Sequence, residues 1–152
     1  NTAIDVWQNE PNIETKLVEL VDIATPHIAG YSLEGKANGT FLLYQSWCKL
    51  IAATEQKTVE MLLPSMEISS ISIDKSINFA PWPMLVKLIY DVRDDDQMCR
   101  RSGFSAKGFD NLRKQYKVRR EFSALSVECH DTSHRLLLGE LGFNISASLC
   151  LN

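Results

Sequence analysis

The stretch Asp22-Ile23-Ala24-Thr25-Pro26-His27-Ile28-Ala29-Gly30-Tyr31-Ser32-Leu33-Glu34-Gly35-Lys36 constrains the fold of this chain more than any other. Its apolar start, Val21 to Ala24, reads as a short buried strand. Pro26 has no N–H to give to a sheet ladder and ends that strand, so His27 falls in a loop. Gly30 permits tight backbone geometry beside the histidine. Ser32 offers an oxygen to the unpaired N–H groups of a helix start, and a helix is expected from Leu33. A histidine between the carboxyl end of a strand and the start of a helix stands where open α/β sheets place ligands. Alone, that is a weak signal, because such a histidine is more often an ordinary loop residue.

The residues before it add a second strand, Thr2 to Trp7, carrying Asp5. Glu10-Pro11-Asn12 reads as a turn, and Ile13 to Leu20 as a short helix with Leu17, Val18 and Leu20 inward. The second strand then runs from Val21 to Thr25. If both strands lie in one parallel sheet, Asp5, Glu10 and His27 gather at its carboxyl edge. Imidazole can give or take a proton near neutral pH, and a carboxylate on its other nitrogen fixes the tautomer. Read alone, Asp5 could equally cap a turn, and Glu10 could equally be a solvated turn residue.

Beyond this stretch, Leu33 to about Thr54 reads as one helix, with Leu33, Ala37, Phe41, Tyr44, Cys48 and Ile51 on one apolar stripe. Residues 56–64 form a linker. A strand is expected over Glu67 to Asp74, and a helix opened by Pro81-Trp82-Pro83 runs through Val92. Arg93 to Arg101 is charged and would extend that helix as a surface turn, followed by a loop from Phe104 to Gly108. A helix from Phe109 to Lys117, a strand from Glu121 to Cys129, a helix from Thr132 to Leu141 stopped by Gly142, and a strand from Phe143 to Leu149 complete the chain. The order β-α-α-β-α-β describes a small α+β domain over 65–152, with 1–55 as a separate unit.

A net charge of -3 and a pI near 5.6 give no reason to expect nucleic-acid binding. No apolar run approaches the roughly 20 residues that span a bilayer, and the residues from Asn1 on lack the basic start and apolar core of a signal peptide. Cys48, Cys99, Cys129 and Cys150 are widely spaced and read as reduced core residues, which suits the cytoplasm. Asp94-Asp95-Asp96 could bind a metal, but consecutive carboxylates on a turn are usually just solvated. His130 and His134 could share a zinc ion, but they lack a third ligand at close spacing. Metal: none is expected. Lys114, Lys117, Arg119 and Arg120 read as a solvated helix end, with an arginine on a substrate phosphate as a weaker alternative. The seven glycines include no G-x-G-x-x-G, so no phosphate-cradling turn is present.

The run Asp5-Val6-Trp7, Glu10-Pro11, then Thr25-Pro26-His27-Ile28-Ala29-Gly30-Tyr31-Ser32-Leu33-Glu34-Gly35-Lys36 resembles the D-2-hydroxyacid dehydrogenase family. The likeness continues in Tyr90-Asp91-Val92-Arg93, Phe109-Asp110-x-Leu112-Arg113 and Arg119-Arg120-Glu121-Phe122. It points to a branch acting on a phosphorylated hydroxy acid, with phosphoglycerate- and glycerate-type members as the nearest rivals. The resemblance implies NAD as cofactor, His27 as acid/base and Glu10 as the carboxylate that orients it. It also implies Asp5 and Gly30 at the nicotinamide and Tyr31 at the substrate. The implied fold is the end of a Rossmann-like nucleotide-binding domain with a crossover helix, followed by a dimerisation domain. A homodimer through that domain is expected, with Trp82, Met84, Leu88, Phe122 and Leu125 in its core or interface. The family's substrate-carboxylate arginine would lie upstream of Asp5, and the chain begins at Asn1. It is therefore expected to be the C-terminal part of a longer enzyme, and inactive or a mere association module in isolation.

Overall fold

The computed structural model describes residues 1–74, 77, 79–101 and 105–146. The chain is α/β, with small parallel sheets and several helices. It divides into two compact units that interleave along the sequence: residues 1–31 with 91–118, and residues 32–90 with 119–146 of the described chain. That grouping differs from the linear division at 55 and 64, because 91–118 packs with the N-terminal segment.

In the first unit, β1 (Ala3–Ile4) and β2 (Ile23–Ala24) pair in parallel, Ala3 opposite Ile23 and Ile4 opposite Ala24. Helix α1 (Thr15–Leu20) crosses between them. Only Val18 of α1 is buried; Leu17 and Leu20 are exposed, contrary to expectation. These two residues are three apart and share one helix face, which here is the outer one. Two further helices complete the unit, α4 (Val92–Arg101) and α5 (Ala106–Lys114). Trp7, Ile13, Val18, Val21, Ala24 and Phe109 form its apolar core.

The charged segment 93–101 is a helix of its own, separated from the preceding one by the extended backbone of Tyr90. Of its three consecutive carboxylates only Asp94 is solvent-exposed. Asp95 is buried and accepts a hydrogen bond from the Tyr116 hydroxyl at 2.6 Å. Asp96 accepts the Ala24 N–H at 2.8 Å and pairs with Arg100 at 2.9 Å. Arg100 in turn donates to the carbonyls of Val18 and Val21. These bonds fasten α4 to the end of β2. Helical periodicity explains the reversal, since Asp95 lies four residues from the buried Cys99 and shares its inward face.

In the second unit, α2 (Leu33–Leu50) starts at Ser32, whose hydroxyl accepts the Gly35 N–H at 3.0 Å as the sequence predicts. The expected stripe on α2 is half-buried or buried from Leu33 to Cys48, whereas Leu42, Leu43, Trp47 and Leu50 are exposed. Strands β3 (Ser70–Ile73), β4 (Ser126–Cys129) and β5 (Asn144–Ser146) form a parallel sheet in that order. Helices α3 (Trp82–Ile89) and α6 (Thr132–Glu140) belong to the same unit. Gly142 ends α6 with a φ of 95°, a conformation glycine adopts without steric cost. Ile73, Leu85, Leu125, Val127, Cys129, Leu138 and Phe143 make the core.

The order from β3 to β5 is thus β-α-α-α-β-α-β, one helix more than the sequence suggests, because 81–101 is two helices. Before β4, residues Phe122–Ala124 form a short 3-10 turn in place of the first part of the expected strand. The basic run is a solvated helix end at Lys114, in the last turn of α5, but not at its arginines. Arg120 pairs with the buried Glu34 at 2.6 Å and donates to the Pro64 carbonyl, and Arg119 lies over the Tyr90 ring. Lys117 approaches Asp94 and Asp95. Of the residues named for the interface, Leu125 is fully buried in the core and Phe122 stacks on Phe143, while Trp82, Met84 and Leu88 are exposed. Cys48, Cys99 and Cys129 are buried thiols; burial pushes the Cys99 thiol up to about 12. Cys150, the end of the expected last strand and Phe104 lie outside the described residues.

Candidate active site

Parallel pairing of β1 and β2 brings both strand ends to one edge, and the loops that follow supply the candidate groups. Pro26 turns the chain out of β2 and His27 takes a φ of 56°, a left-handed conformation that costs a residue with a Cβ about 1–2 kcal/mol. Such strain persists only where the surroundings enforce it, and it clusters at functional sites. The enforcing group is Asp5, just beyond β1. Its Oδ1 accepts the Thr25 hydroxyl at 2.7 Å and the Ile28 N–H at 2.8 Å, and its Oδ2 accepts the Ala29 N–H at 3.0 Å. Asp5 therefore binds the loop on both sides of His27.

Glu10 is fixed in a similar way. Its Oε1 accepts the Trp7 N–H at 2.8 Å, and the Trp7 indole donates to the Thr25 carbonyl at 2.8 Å. Oε2 lies 2.7 Å from Nδ1 of His27. A carboxylate can only accept, so Nδ1 carries a proton, and in the neutral ring Nε2 is the nitrogen that keeps a lone pair. The imidazole is 39% exposed and Glu10 only 17%, so the ring can meet a ligand while its partner is shielded. This carboxylate–imidazole pair lies at the carboxyl edge of a parallel sheet, and such a pair is chemically able to give or take a proton.

Burial opposes ionisation of both carboxyls, but hydrogen bonds prevail. The Ile28 N–H, the Thr25 hydroxyl and the Ala29 N–H, with the charge of His27, hold Asp5 below its ordinary value. The hydrogen bond from His27, the Trp7 N–H, and the charges of His27 and Arg113 do the same for Glu10. Groups depressed in the folded state stabilise it fully above their unfolded pKa values, about 3.9 and 4.3, and that contribution is lost as pH falls through the folded ones. Thermal midpoints are therefore expected to drop on acidification below about pH 4. Asp5→Asn and Glu10→Gln should each make that acid slope shallower; slopes equal to that of the parent chain would contradict the linkage.

Gly30 has a φ of 73°, and a Cβ built there would meet nothing within 4 Å. Its glycine is required by the backbone, and the space beside it is open. Tyr31 packs edge-on to Tyr116, with ring centroids 5.7 Å apart. Asp5, Glu10, His27, Gly30 and Tyr31 all belong to the first unit, as does Arg113, whose guanidinium carbon lies 5.7 Å from the Tyr31 ring centre. Sequence reasoning missed the contributions of Trp7 and Arg113. Trp7 was legible in principle as an aromatic three residues before Glu10, whereas Arg113 comes from a segment with no local signal of its position. Among the described residues no group of acidic, histidine and cysteine side chains could hold a metal ion, and His130 and His134 remain outside any such cluster. No described helix is long and apolar enough to cross a membrane.

Fold and site thus describe an α/β protein with a partly exposed carboxylate–imidazole pair at the edge of a small parallel sheet. A family model described as "Domain of unknown function (DUF3410)" matches residues 62–142, and the chain belongs to that family. It is also 44% identical over 142 residues to the erythronate-4-phosphate dehydrogenase of Shewanella sp. (strain ANA-3), and 45% identical to that of Shewanella baltica (strain OS195). The corresponding protein of Colwellia psychrerythraea (strain 34H / ATCC BAA-681) is 47% identical over the same length. Each match covers 93% of this chain but only 38% of the Shewanella proteins and 36% of the Colwellia protein. The chain is similar to the C-terminal part of those enzymes.

Proposed function

We propose that this chain is the C-terminal part of an NAD-dependent dehydrogenase that oxidises 4-phospho-D-erythronate to its 2-oxo acid, a step of pyridoxine 5'-phosphate synthesis. The observation that carries the reading is the Glu10–His27 pair at 2.7 Å, held beside the strained loop that Asp5 fastens. The names of the relatives supply the substrate.

His27 accepts the substrate hydroxyl proton at Nε2, and Glu10 stabilises the imidazolium that results. In the reverse direction the imidazolium returns that proton to the carbonyl oxygen. NAD, when bound, supplies the acceptor for the hydride that leaves the same carbon. The residues present fit its nicotinamide end. Asp5 already accepts three hydrogen bonds and has room for a fourth, from an amide, and the open space beside Gly30 suits a flat ring. Tyr31 offers a hydroxyl to the substrate. In this reading residues 1–31 close a Rossmann-like domain, α2 is its crossover helix, and the 65–152 segment dimerises. The exposed Trp82, Met84 and Leu88 support the last point; sedimentation of the protein as a monomer at micromolar concentration would remove it.

The decisive assay uses the protein extended to the length of its relatives, with 4-phospho-D-erythronate and NAD. NADH formation is expected, and faster turnover of 3-phosphoglycerate or glycerate would move the assignment to another branch of the same family. A second reading takes the 152-residue chain alone as an association module, favoured by the exposed Leu42, Leu43, Trp47 and Leu50 of α2. Calorimetry of NAD with the isolated chain separates the two, since tight binding would exclude a purely associative role.

A further inference from the structure

Arg113 is the one described arginine whose buried Nε has no hydrogen-bond partner. It stands in the last turn of α5, its guanidinium carbon over the Tyr31 ring at 5.7 Å. No carboxylate among the described residues lies within ion-pairing distance of it, although Arg93, Arg100 and Arg120 of the same chain are all paired. A buried N–H left unpaired is costly, and a guanidinium in such a place normally serves an anion. Its position is also enforced. Tyr116, two residues past the end of α5, donates to the buried Asp95 and packs against Tyr31, so both sides of the stack are fixed.

We infer that Arg113 binds the phosphate group of the substrate, with Tyr31 as the surface on which its guanidinium lies. The assignment rests on the dehydrogenase reading for the identity of the anion, though not for its existence. An erythronate phosphate has two anionic ends. Its carboxylate adjoins the reacting carbon and must lie close to His27; its phosphate is three carbons further along. Arg113 acts on Glu10 through its charge but makes no ion pair with it, which suits the distal group. The planar fork of a guanidinium can give a phosphate several N–H bonds at once, including the Nε–H that has no partner.

Two measurements test this. In the 152-residue chain labelled with nitrogen-15, titration with inorganic phosphate should shift the Arg113 Nε–H resonance saturably, and acetate should shift it far less. The shift should survive in His27→Asn, and in Arg113→Gln phosphate should no longer perturb the backbone amide of Tyr31, which it perturbs in the unaltered chain. No shift, or an equal response to acetate, overturns the phosphate site. In the protein of full relative length, Arg113→Gln should raise KM for 4-phospho-D-erythronate by about 10–100-fold, as expected for a lost charged hydrogen bond. KM for unphosphorylated erythronate should hardly change, and Arg113→Lys should restore part of the difference. An equal loss for both substrates would make Arg113 a support for Tyr31 and overturn the inference. Phosphate binding at Arg113 in a protein that does not oxidise the phosphoerythronate would leave the anion site standing and remove the dehydrogenase reading. Turnover indifferent to Arg113→Gln would do the reverse.

Discussion

His27→Asn is expected to lower kcat for 4-phospho-D-erythronate by about 10²–10⁴-fold, the usual worth of a positioned acid–base group. Asparagine is the informative replacement because the backbone at this position is left-handed, with a φ of 56°. Asparagine tolerates that conformation better than alanine does, so the variant separates lost chemistry from released strain. Alanine would remove the imidazole and also favour a different loop path, loosening the Ile28 and Ala29 N–H groups from Asp5. The assay follows NADH formation in the protein of full relative length. Circular dichroism and melting should show the Asn variant folded. Unchanged kcat in that variant would sink the assigned role. Glu10→Gln should give a smaller loss, since it keeps the shape while removing the charge that stabilises the imidazolium.

The second large effect is on stability. Phe109→Ala is expected to destabilise the first unit by about 3–5 kcal/mol, from lost apolar transfer and the cavity left behind. Phe109 is 1% exposed and lies against Trp7, Ile13, Val18, Val21 and Ala24, so little solvent can fill the space. Phe109→Leu should cost far less. Because the chain has two units, a single unfolding transition is not assumed, and a local reporter is needed. Trp7 supplies it: it is buried in the same cluster, whereas Trp47 and Trp82 are exposed and can be changed to phenylalanine. Urea denaturation followed by Trp7 emission should show the loss. A shift below about 1 kcal/mol would mean that the cluster is not the stabilising core of this unit. Trp7 of the same cluster donates its N–H to Glu10, so the variant should also loosen the Glu10–His27 contact.

The local elements were legible where local chemistry dictates them. Ser32 starts α2 because a hydroxyl at that position satisfies a backbone N–H within one turn, and Gly142 stops α6 because no other residue adopts its φ so cheaply. The two strands beside Asp5 and His27 were legible, but each is only two residues long, Ala3–Ile4 and Ile23–Ala24, where the sequence suggests Thr2 to Trp7 and Val21 to Thr25. Parallel pairing brings Asp5, Glu10 and His27 together. Side-chain roles of the charged residues were not legible. Asp95, Asp96 and Arg120 look like solvated charges in sequence, because their partners Tyr116, Ala24 and Glu34 lie 21, 72 and 86 residues away. Whether a carboxylate is buried depends on which helix face the rest of the chain covers, and no window of neighbouring residues contains that information. For the same reason periodicity could place Leu17 and Leu20 on one face of α1 but not say that this face is the outer one. The proximity of Glu10 and His27 was expected from two strands meeting at one sheet edge, and their pairing from the family resemblance. Arg113 over Tyr31 was decided only by tertiary packing, which carries a residue of α5 back to a loop 82 positions earlier.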